Sequence, residues 1–379
     1  MPVPDMATAT DTPGIAALEY VRQIAPYQAG KPIEELAREL GLAPESIVKL
    51  ASNENPLGMP ESARAALLRT TDLGRYPDAN GFALKARLAA RYGVPADWLT
   101  LGNGSNDILD AAAAVTLNAQ SSCVYSQHSF AVYALATQAR GAAAIVVPAR
   151  DYGHDLAAMA AAIRPDTRLV FIANPNNPTG TFLPAPALAA FLAQVPRAVV
   201  VVLDEAYNEY LPPELRYDSV AWVRQHPNLI VSRSFSKAFG LAGLRVGYGI
   251  AQPALTDLLN RVRQPFNVNS LAQAAAAAAL DDADFLERSY ALNREGLRTL
   301  TAAFDRLGLD YVPPFGNFVL LKVGPAARVY QELLRRGVIV RPVANYGLPE
   351  WLRVTVGLAA ENARFLEVLP PALAGARAQ

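Results

Sequence analysis

Five lysines carry all the side-chain amines of the 379-residue sequence: Lys31, Lys49, Lys85, Lys237 and Lys322. The other 29 of the 34 basic residues are arginines. Lys31 and Lys49 lie in the N-terminal arm region. Lys85 sits in an amphipathic stretch, Phe82 to Tyr92, near Arg87, and reads as solvated. Lys322 ends a strand-like run near the C-terminus. Lys237 alone follows a strand-like run in a Ser/Gly loop, Ser234-Phe235-Ser236-Lys237-Ala238-Phe239-Gly240, with Arg245 eight residues on. An amine held in a partly desolvated, electropositive site has a lowered pKa and becomes a nucleophile able to form a Schiff base.

Three further segments place polar groups directly after apolar runs. Leu101-Gly102-Asn103-Gly104-Ser105-Asn106-Asp107 reads as a strand–turn–helix junction. Its glycines admit a ligand, and its helix start offers N–H groups to an anion. Read alone, it is equally an ordinary turn capped by Ser105 or Asn106. It is neither a dinucleotide fingerprint nor a P-loop, because Asp107 holds the sixth position of GxGxxG and no Gly-Lys-Ser/Thr follows. Asn174 to Gly180, stiffened by Pro175 and Pro178, lies at a strand's carboxyl end, where ligands of open α/β sheets bind. There Asn177 can donate through its amide. Val199 to Leu203 runs into Asp204, a carboxylate that is costly to bury unless paired. It reads as a helix cap or as the partner of a cationic ring nitrogen, with Tyr207 in the same pocket.

Together these groups describe one ligand. Ser105, Asn106, Ser234, Ser236 and Arg245 suit a phosphate. Asn177 and Tyr207 suit a phenolic oxygen, Asp204 a ring nitrogen, and Lys237 an aldehyde. Pyridoxal 5'-phosphate carries all four, and its sites feature a Schiff-base lysine and an acidic partner for the pyridine nitrogen.

Such loops need a sheet beneath them. From about residue 60, helical stretches (Glu61 to Arg69, Phe82 to Tyr92) alternate with short apolar runs. Leu99 to Leu101, Ser122 to Tyr125, Ala144 to Val147, Leu169 to Ala173, Val199 to Leu203, Leu229 to Val231 and Val246 to Ile250 all read as buried strands. This alternation predicts an α/β fold with a mostly parallel central sheet covered by helices. An Ala-rich helix, Leu271 to Leu280, and a longer polar one, Asp284 to Leu307, follow. Then Tyr311 to Val323, Gly337 to Arg341 and Trp351 to Val356 read as strands, with helices Ala326 to Arg336 and Glu361 to Leu369. That texture predicts a smaller α+β domain. The expected organisation is an N-terminal arm with part of the small domain (1–50), a large cofactor-binding domain (51–280) and a small C-terminal domain (281–379).

Composition narrows the partners. Lys+Arg and Asp+Glu are 34 each, so the formal net charge is zero, which argues against a nucleic-acid partner. No apolar run approaches the roughly 20 residues of a membrane span. Residues 1–14 lack the basic and apolar regions of a signal peptide and read as a frayed tail. Cys123 is the only cysteine, which excludes an intrachain disulfide and fits a reducing, cytoplasmic compartment. With His128, His154 and His226 it makes no zinc motif, so no metal is expected.

Pro26-Tyr27-Gln28, Asn53-Glu54-Asn55-Pro56-Leu57-Gly58, Arg75-Tyr76-Pro77-Asp78, Gly102 to Asp107, Asn176 to Gly180, Asp204-Glu205-Ala206-Tyr207, Ser236 to Arg245, Pro265-Phe266-Asn267-Val268-Asn269 and Leu352 to Gly357 share one further property. In this order and spacing they resemble a fold-type I aminotransferase, and closely the histidinol-phosphate aminotransferase family, from Tyr27 to about Gly357. The resemblance implies a pyridoxal-phosphate-dependent transaminase of histidine biosynthesis. It would move an amino group between glutamate/2-oxoglutarate and imidazole-acetol phosphate/histidinol phosphate. By the same resemblance Lys237 is the Schiff-base lysine and then the base that moves a proton between substrate Cα and the cofactor's C4′. Asn177 and Tyr207 match contacts to the phenolic oxygen, Asp204 the partner of the ring nitrogen. Ser105, Asn106, Ser234, Ser236 and Arg245 match the phosphate cup. Phe130 matches a ring stacked on the cofactor, and Arg353 an arginine paired bidentately with the substrate carboxylate. Tyr27, Asn55 and Arg341 complete the implied substrate site. Tyr76 matches a tyrosine that reaches the cofactor phosphate of the neighbouring subunit, which implies a homodimer with shared sites. Ser126 to Phe130 departs from the family's pattern before the stacking ring. An aromatic-amino-acid or prephenate aminotransferase is therefore the alternative, and a threonine-phosphate decarboxylase-like enzyme would use the same scaffold. His128 is either a substrate contact or a satisfied loop histidine.

Overall fold

Seven apolar runs between residues 99 and 250 meet in one sheet, because a strand that is apolar on both faces is dried only between two layers of helices. The computed structural model describes residues 15–27 and 30–377. The expected tail at residues 1–14, and Gln28 of the arm motif, lie outside the described residues. A two-residue strand, β1 (Val48–Lys49), leads in. The central sheet is built from β2 (Leu99–Gly102), β3 (Ser122–Ser126), β4 (Ala143–Val147), β5 (Thr167–Ala173), β6 (Val200–Asp204), β7 (Leu229–Ser234) and β8 (Gly247–Ile250). Their order is β2-β8-β7-β6-β5-β3-β4. All neighbours from β7 to β4 are parallel, whereas β8 runs antiparallel to both β7 and β2. The carboxyl ends of β2, β3, β5, β6 and β7 therefore share one edge.

Strand alternation divides the core into two layers. Along β5, Val170 and Ile172 join one apolar cluster, while Leu169, Phe171 and Ala173 join the other. Along β6, Val201 and Leu203 lie on the first side and Val202 on the second. The same period of two turns Asp204 toward the second side, where Tyr133 meets it. The strand Ala144 to Val147, expected to be buried, is the sheet's edge, and Val146 is 48% exposed.

The C-terminal part adds β9 (Tyr311–Val312), β10 (Phe318–Lys322), β11 (Val338–Ile339), β12 (Arg341–Pro342) and β13 (Trp351–Thr355). The expected strand Tyr311 to Val323 is in fact two strands, β9 and β10, paired antiparallel across Pro313 and Pro314. Proline has no N–H to give a ladder, so the run breaks there. Gly337 to Arg341 is likewise split: β11 pairs with β1, and β12 with β13. The last helix is longer than expected, Ala359–Arg377, and passes through Pro370 and Pro371. Burial of Leu369 before the prolines and of Ala372, Leu373 and Ala376 after them offsets the lost helical hydrogen bonding. This unit has its own core, which Leu50 joins together with Val319, Val354 and Phe365.

Lys85, expected to be solvated, is buried at 5% exposure, with its Nζ donating to Asn80 Oδ1 at 3.0 Å. Burial lowers its pKa to about 8. The loop Asp78–Asn80 folds back over its helix, which residue spacing within the helix does not register.

Behind the sheet's carboxyl edge lies a buried ionic group. Arg233 Nη2 is 2.7 Å from Glu205 Oε2, and Arg233 Nη1 is 3.6 Å from Glu209 Oε1. The Glu205 side chain is fully buried. Removing one partner of such a group strands the other charge, at a cost of about 3–5 kcal/mol. Arg233→Met should accordingly lower the thermal midpoint by several degrees, and Arg233→Met/Glu205→Gln should recover part of the loss. A calorimetric midpoint unchanged in the single variant would contradict this assignment.

Candidate active site

The loops at the shared edge enclose one cavity, and the sequence places its polar groups because each follows an apolar strand. Asp204 is the last residue of β6, Ser234 the last of β7, and Asn177 lies four residues beyond β5. Ser105 and Asn106 open the helix Ser105–Thr116 just after β2. Gly104 precedes it with φ of 77°, which a side chain would rarely adopt. The Arg245 guanidinium packs against Gly104, where a Cβ would collide with it. Arg245 itself has φ of 56°, a conformation kept only where surroundings enforce it. Its Nη1 donates to Ser236 Oγ at 3.2 Å, and Ser236 N donates to Ser234 Oγ at 3.0 Å. Hydroxyls, a guanidinium and a helix start thus converge at one end of the cavity.

The opposite charges lie deeper. Asp204 is buried; its Oδ2 accepts from the Tyr133 hydroxyl at 2.9 Å, and its Oδ1 has no partner. Burial pushes the carboxyl up to about 6, against the lowering effect of the Tyr133 hydroxyl. Lys237 Nζ donates to the Ser52 carbonyl at 3.0 Å and lies 5.8 Å from the Tyr207 ring centre. Burial, and then the Arg353 guanidinium, lower its pKa to about 8. The Tyr207 hydroxyl, pushed up to about 12 by burial, accepts from Asn53 Nδ2 at 2.9 Å. Arg353 donates to Asn177 Oδ1 at 2.6 Å and to the Ala51 carbonyl at 2.7 Å, while its buried Nε has no partner. Fixing the Asn177 oxygen on a cation leaves that amide's NH2 to donate. Among the described residues no carboxylate pairs with Arg353 or Arg245. Lys237, Arg245, Arg341 and Arg353 line the cavity against a single carboxylate, Asp204. Arg341 and Arg353 are buried, Lys237 is half-buried and Arg245 is exposed, and a cationic excess around one cavity suits an anionic ligand.

Tyr27 and Phe130 also line the cavity, with the Arg341 guanidinium 5.8 Å from the Tyr27 ring centre. Asn55, expected to bind substrate, does not line it, and neither does Tyr76, which is expected at the neighbouring subunit's cofactor. The Asn55 amide is consumed by the Ala238 carbonyl at 2.9 Å and Ser289 Oγ at 2.8 Å. Asn53, two residues earlier, takes the position beside Tyr207. Tyr76 is 81% exposed and stacks on Phe266 away from the cavity. His128 is satisfied by the Tyr346 carbonyl at 2.6 Å and does not line the cavity. Sequence reasoning assigned no part to Asn53, Ser52, Tyr133 or Tyr346. Asn53 lay in a quoted motif, whereas nothing local marks Tyr133 as the partner of Asp204.

The family model for aminotransferase class I and II matches residues 45–369. The chain belongs to this family. The aminotransferase is 68% identical over 365 residues to histidinol-phosphate aminotransferase 2 of Ralstonia nicotianae, covering 95% of this chain and 98% of that one. It is 68% identical over 360 residues to histidinol-phosphate aminotransferase 1 of Cupriavidus pinatubonensis, covering 94% and 96%. Its fold matches the crystal structure of histidinol-phosphate aminotransferase from Sinorhizobium meliloti in complex with pyridoxal-5'-phosphate, with a TM-score of 0.85 and 27% identity over 97% and 98% of the two chains. Pyridoxal phosphate is the cofactor of this aminotransferase. The residues present fit it: the unpartnered Asp204 Oδ1 suits a protonated ring nitrogen, and Arg245 without a carboxylate suits the phosphate.

A pKa near 8 makes the Lys237 amine about half neutral at pH 8, whereas an ordinary lysine reaches that point near 10.4. In the cofactor-free aminotransferase, carbamylation of Lys237 by cyanate, followed by mass spectrometry, should therefore rise through pH 8 and level off. Rates at exposed lysines should keep rising to pH 10. A Lys237 profile that keeps rising with them would contradict the lowered pKa.

Proposed function

We propose that this aminotransferase moves an amino group between glutamate and imidazole-acetol phosphate, giving 2-oxoglutarate and histidinol phosphate. The observation that carries the reading is the cationic cavity, in which three arginines and Lys237 face one carboxylate. Relatives named histidinol-phosphate aminotransferase at 68% identity over nearly the whole chain support the substrate pair. Histidinol phosphate has no α-carboxylate, whereas glutamate does. Arg353 therefore binds a carboxylate in one half-reaction and a phosphate in the other. A guanidinium fork matches the oxygen spacing of both.

Each side chain then has a task. Ser105, Asn106, Ser234, Ser236 and Arg245 bind the cofactor phosphate. Asp204 keeps a proton on the ring nitrogen, and Tyr133 holds that carboxylate in place. Asn177 and Tyr207 orient the phenolic oxygen, and Phe130 covers the ring. When bound, pyridoxal phosphate supplies an electron sink for the carbanion at substrate Cα. Lys237 Nζ would take the proton from substrate Cα and deliver it to the cofactor's C4′, the carbon on the far side of the substrate nitrogen. Tyr27 and Arg341 bind the phosphate end of histidinol phosphate.

The same reading makes the molecule a homodimer with shared sites. Tyr76, exposed and outside its own cavity, serves the cofactor phosphate of a second copy. The division at residues 50 and 280 rests on the separate cores, with Leu50 packed in the C-terminal one. Cys123, buried and unpaired, suits a reducing cytoplasm.

Substrate choice is tested by kcat/KM with 2-oxoglutarate as acceptor. Histidinol phosphate should exceed phenylalanine by about 10²-fold or more. Equal or reversed values would assign the site to aromatic amino acids instead. Lys237→Ala should lower turnover by about 10⁴-fold while the phosphate cup still retains cofactor. Near-normal turnover in that variant would remove Lys237 from the proton transfer.

A further inference from the structure

The segment from Arg263 to Asn267 does not line the cavity, yet it is held in an unfavourable shape. Phe266 has φ of 55°, in the left-handed region that disfavours every residue with a side chain. Its ring is 41% exposed and stacks on Tyr76, with centroids 4.6 Å apart and planes at 19°. Core packing does not explain an exposed aromatic pair on a strained backbone. Observed strain of this kind points to a functional demand on the segment.

The hydrogen bonds around Phe266 connect two places. Arg263 Nη2 donates to the Ala79 carbonyl at 2.9 Å, in the loop that carries Tyr76. Arg263 Nη1 donates to Asn267 Oδ1 at 2.7 Å. Asn267 Nδ2 donates in turn to Asp107 Oδ2 at 2.9 Å and to the Leu101 carbonyl at 3.2 Å. Asp107 Oδ2 also accepts from Asn103 N at 2.8 Å, inside the turn that opens the helix Ser105–Thr116. One polar chain thus runs from the Tyr76 loop to the turn beside the protomer's own phosphate cup.

We propose that Arg263, Phe266 and Asn267 are positioning residues: they hold Tyr76 outward for the cofactor phosphate of a second copy and anchor its loop to the protomer's own phosphate turn. This rests on the homodimer reading above. Phe266 supplies the platform for the tyrosine ring, Arg263 fixes the loop backbone, and Asn267 passes that constraint to Asp107. The bracket acts on a residue that serves the neighbouring site, so its effect on cofactor binding runs through the Tyr76 hydroxyl.

A double-mutant cycle on the full-length chain tests this, reading the equilibrium dissociation constant for pyridoxal 5'-phosphate. Tyr76→Phe keeps the stacked ring and removes the hydroxyl; it should weaken binding about tenfold. Arg263→Met should weaken binding about fivefold in the wild-type background and less than about twofold in the Tyr76→Phe background. Arg263→Lys, which keeps one donor, should restore part of the affinity. A merely structural role would instead give the same loss in both backgrounds, and that additive result overturns the proposal. If Tyr76→Phe weakens binding and Arg263→Met does not, the bracket alone is overturned. If Tyr76→Phe leaves binding unchanged, the homodimer reading of Tyr76 fails and the bracket with it. Should Arg263→Met not fold, Phe266→Leu, which removes only an exposed ring stack, takes its place in the same cycle with the same criteria.

Discussion

Buried Asp204 and half-buried Lys237 share one cavity at the carboxyl edge of an apolar sheet, and their opposite responses to desolvation organise the site. Desolvation raises the carboxyl to about 6 and lowers the ammonium to about 8. Each group is thereby pushed toward its neutral form. A carboxylate in that position gains most from a cation that arrives with the ligand. An amine in that position is nucleophilic near neutral pH. The sheet creates the condition: β5, β6 and β7 are buried along nearly their whole length, and loops close over their ends. The side chains beyond those strands, from Asn177 to Lys237, share the enclosure.

The remaining charge is arranged around this pair. Arg353, on β13 of the C-terminal sheet, reaches across to Asn177 beyond β5 of the central one. The segment 50–53 lies between the two sheets. Leu50 accepts from Thr355 N at 2.9 Å, Asn53 N donates to Thr355 Oγ1 at 3.0 Å, and the Ser52 carbonyl accepts from Lys237. Arg353, through the Ala51 carbonyl, and Lys237, through the Ser52 carbonyl, are therefore held by one strip of backbone.

Much of this was legible in the sequence, for local reasons. Apolar runs with turn residues at their ends mark strands, and polar residues just beyond them mark the catalytic edge. A chain with five lysines leaves few candidates for an amine nucleophile, and only Lys237 sits in such a loop. The errors have a common origin in contacts between distant segments. Asn55 was expected at the site, but Asn53 lies there; its backbone, at φ 54°, turns the side chain toward Tyr207 as the segment crosses β13. Lys85 looked solvated from helical spacing, but the loop before its helix covers it. Tyr133 is 71 residues from Asp204 in sequence and touches it only because the helix Ala131–Gln138 packs on the same face of the sheet.

The sequence by itself determined which groups are fit for the chemistry and on which edge of the sheet they emerge, because strand period, apolar runs and turn residues act over a few neighbours. Tertiary structure alone decided which polar side chains are left without partners. Asp204 Oδ1 and Arg353 Nε become unpaired only when helices and two sheets close around them. Burial and the absence of a counter-charge are properties of the assembled surroundings, and it is these that turn an aspartate, a lysine and an arginine into a site for an anionic, cationic-ring ligand.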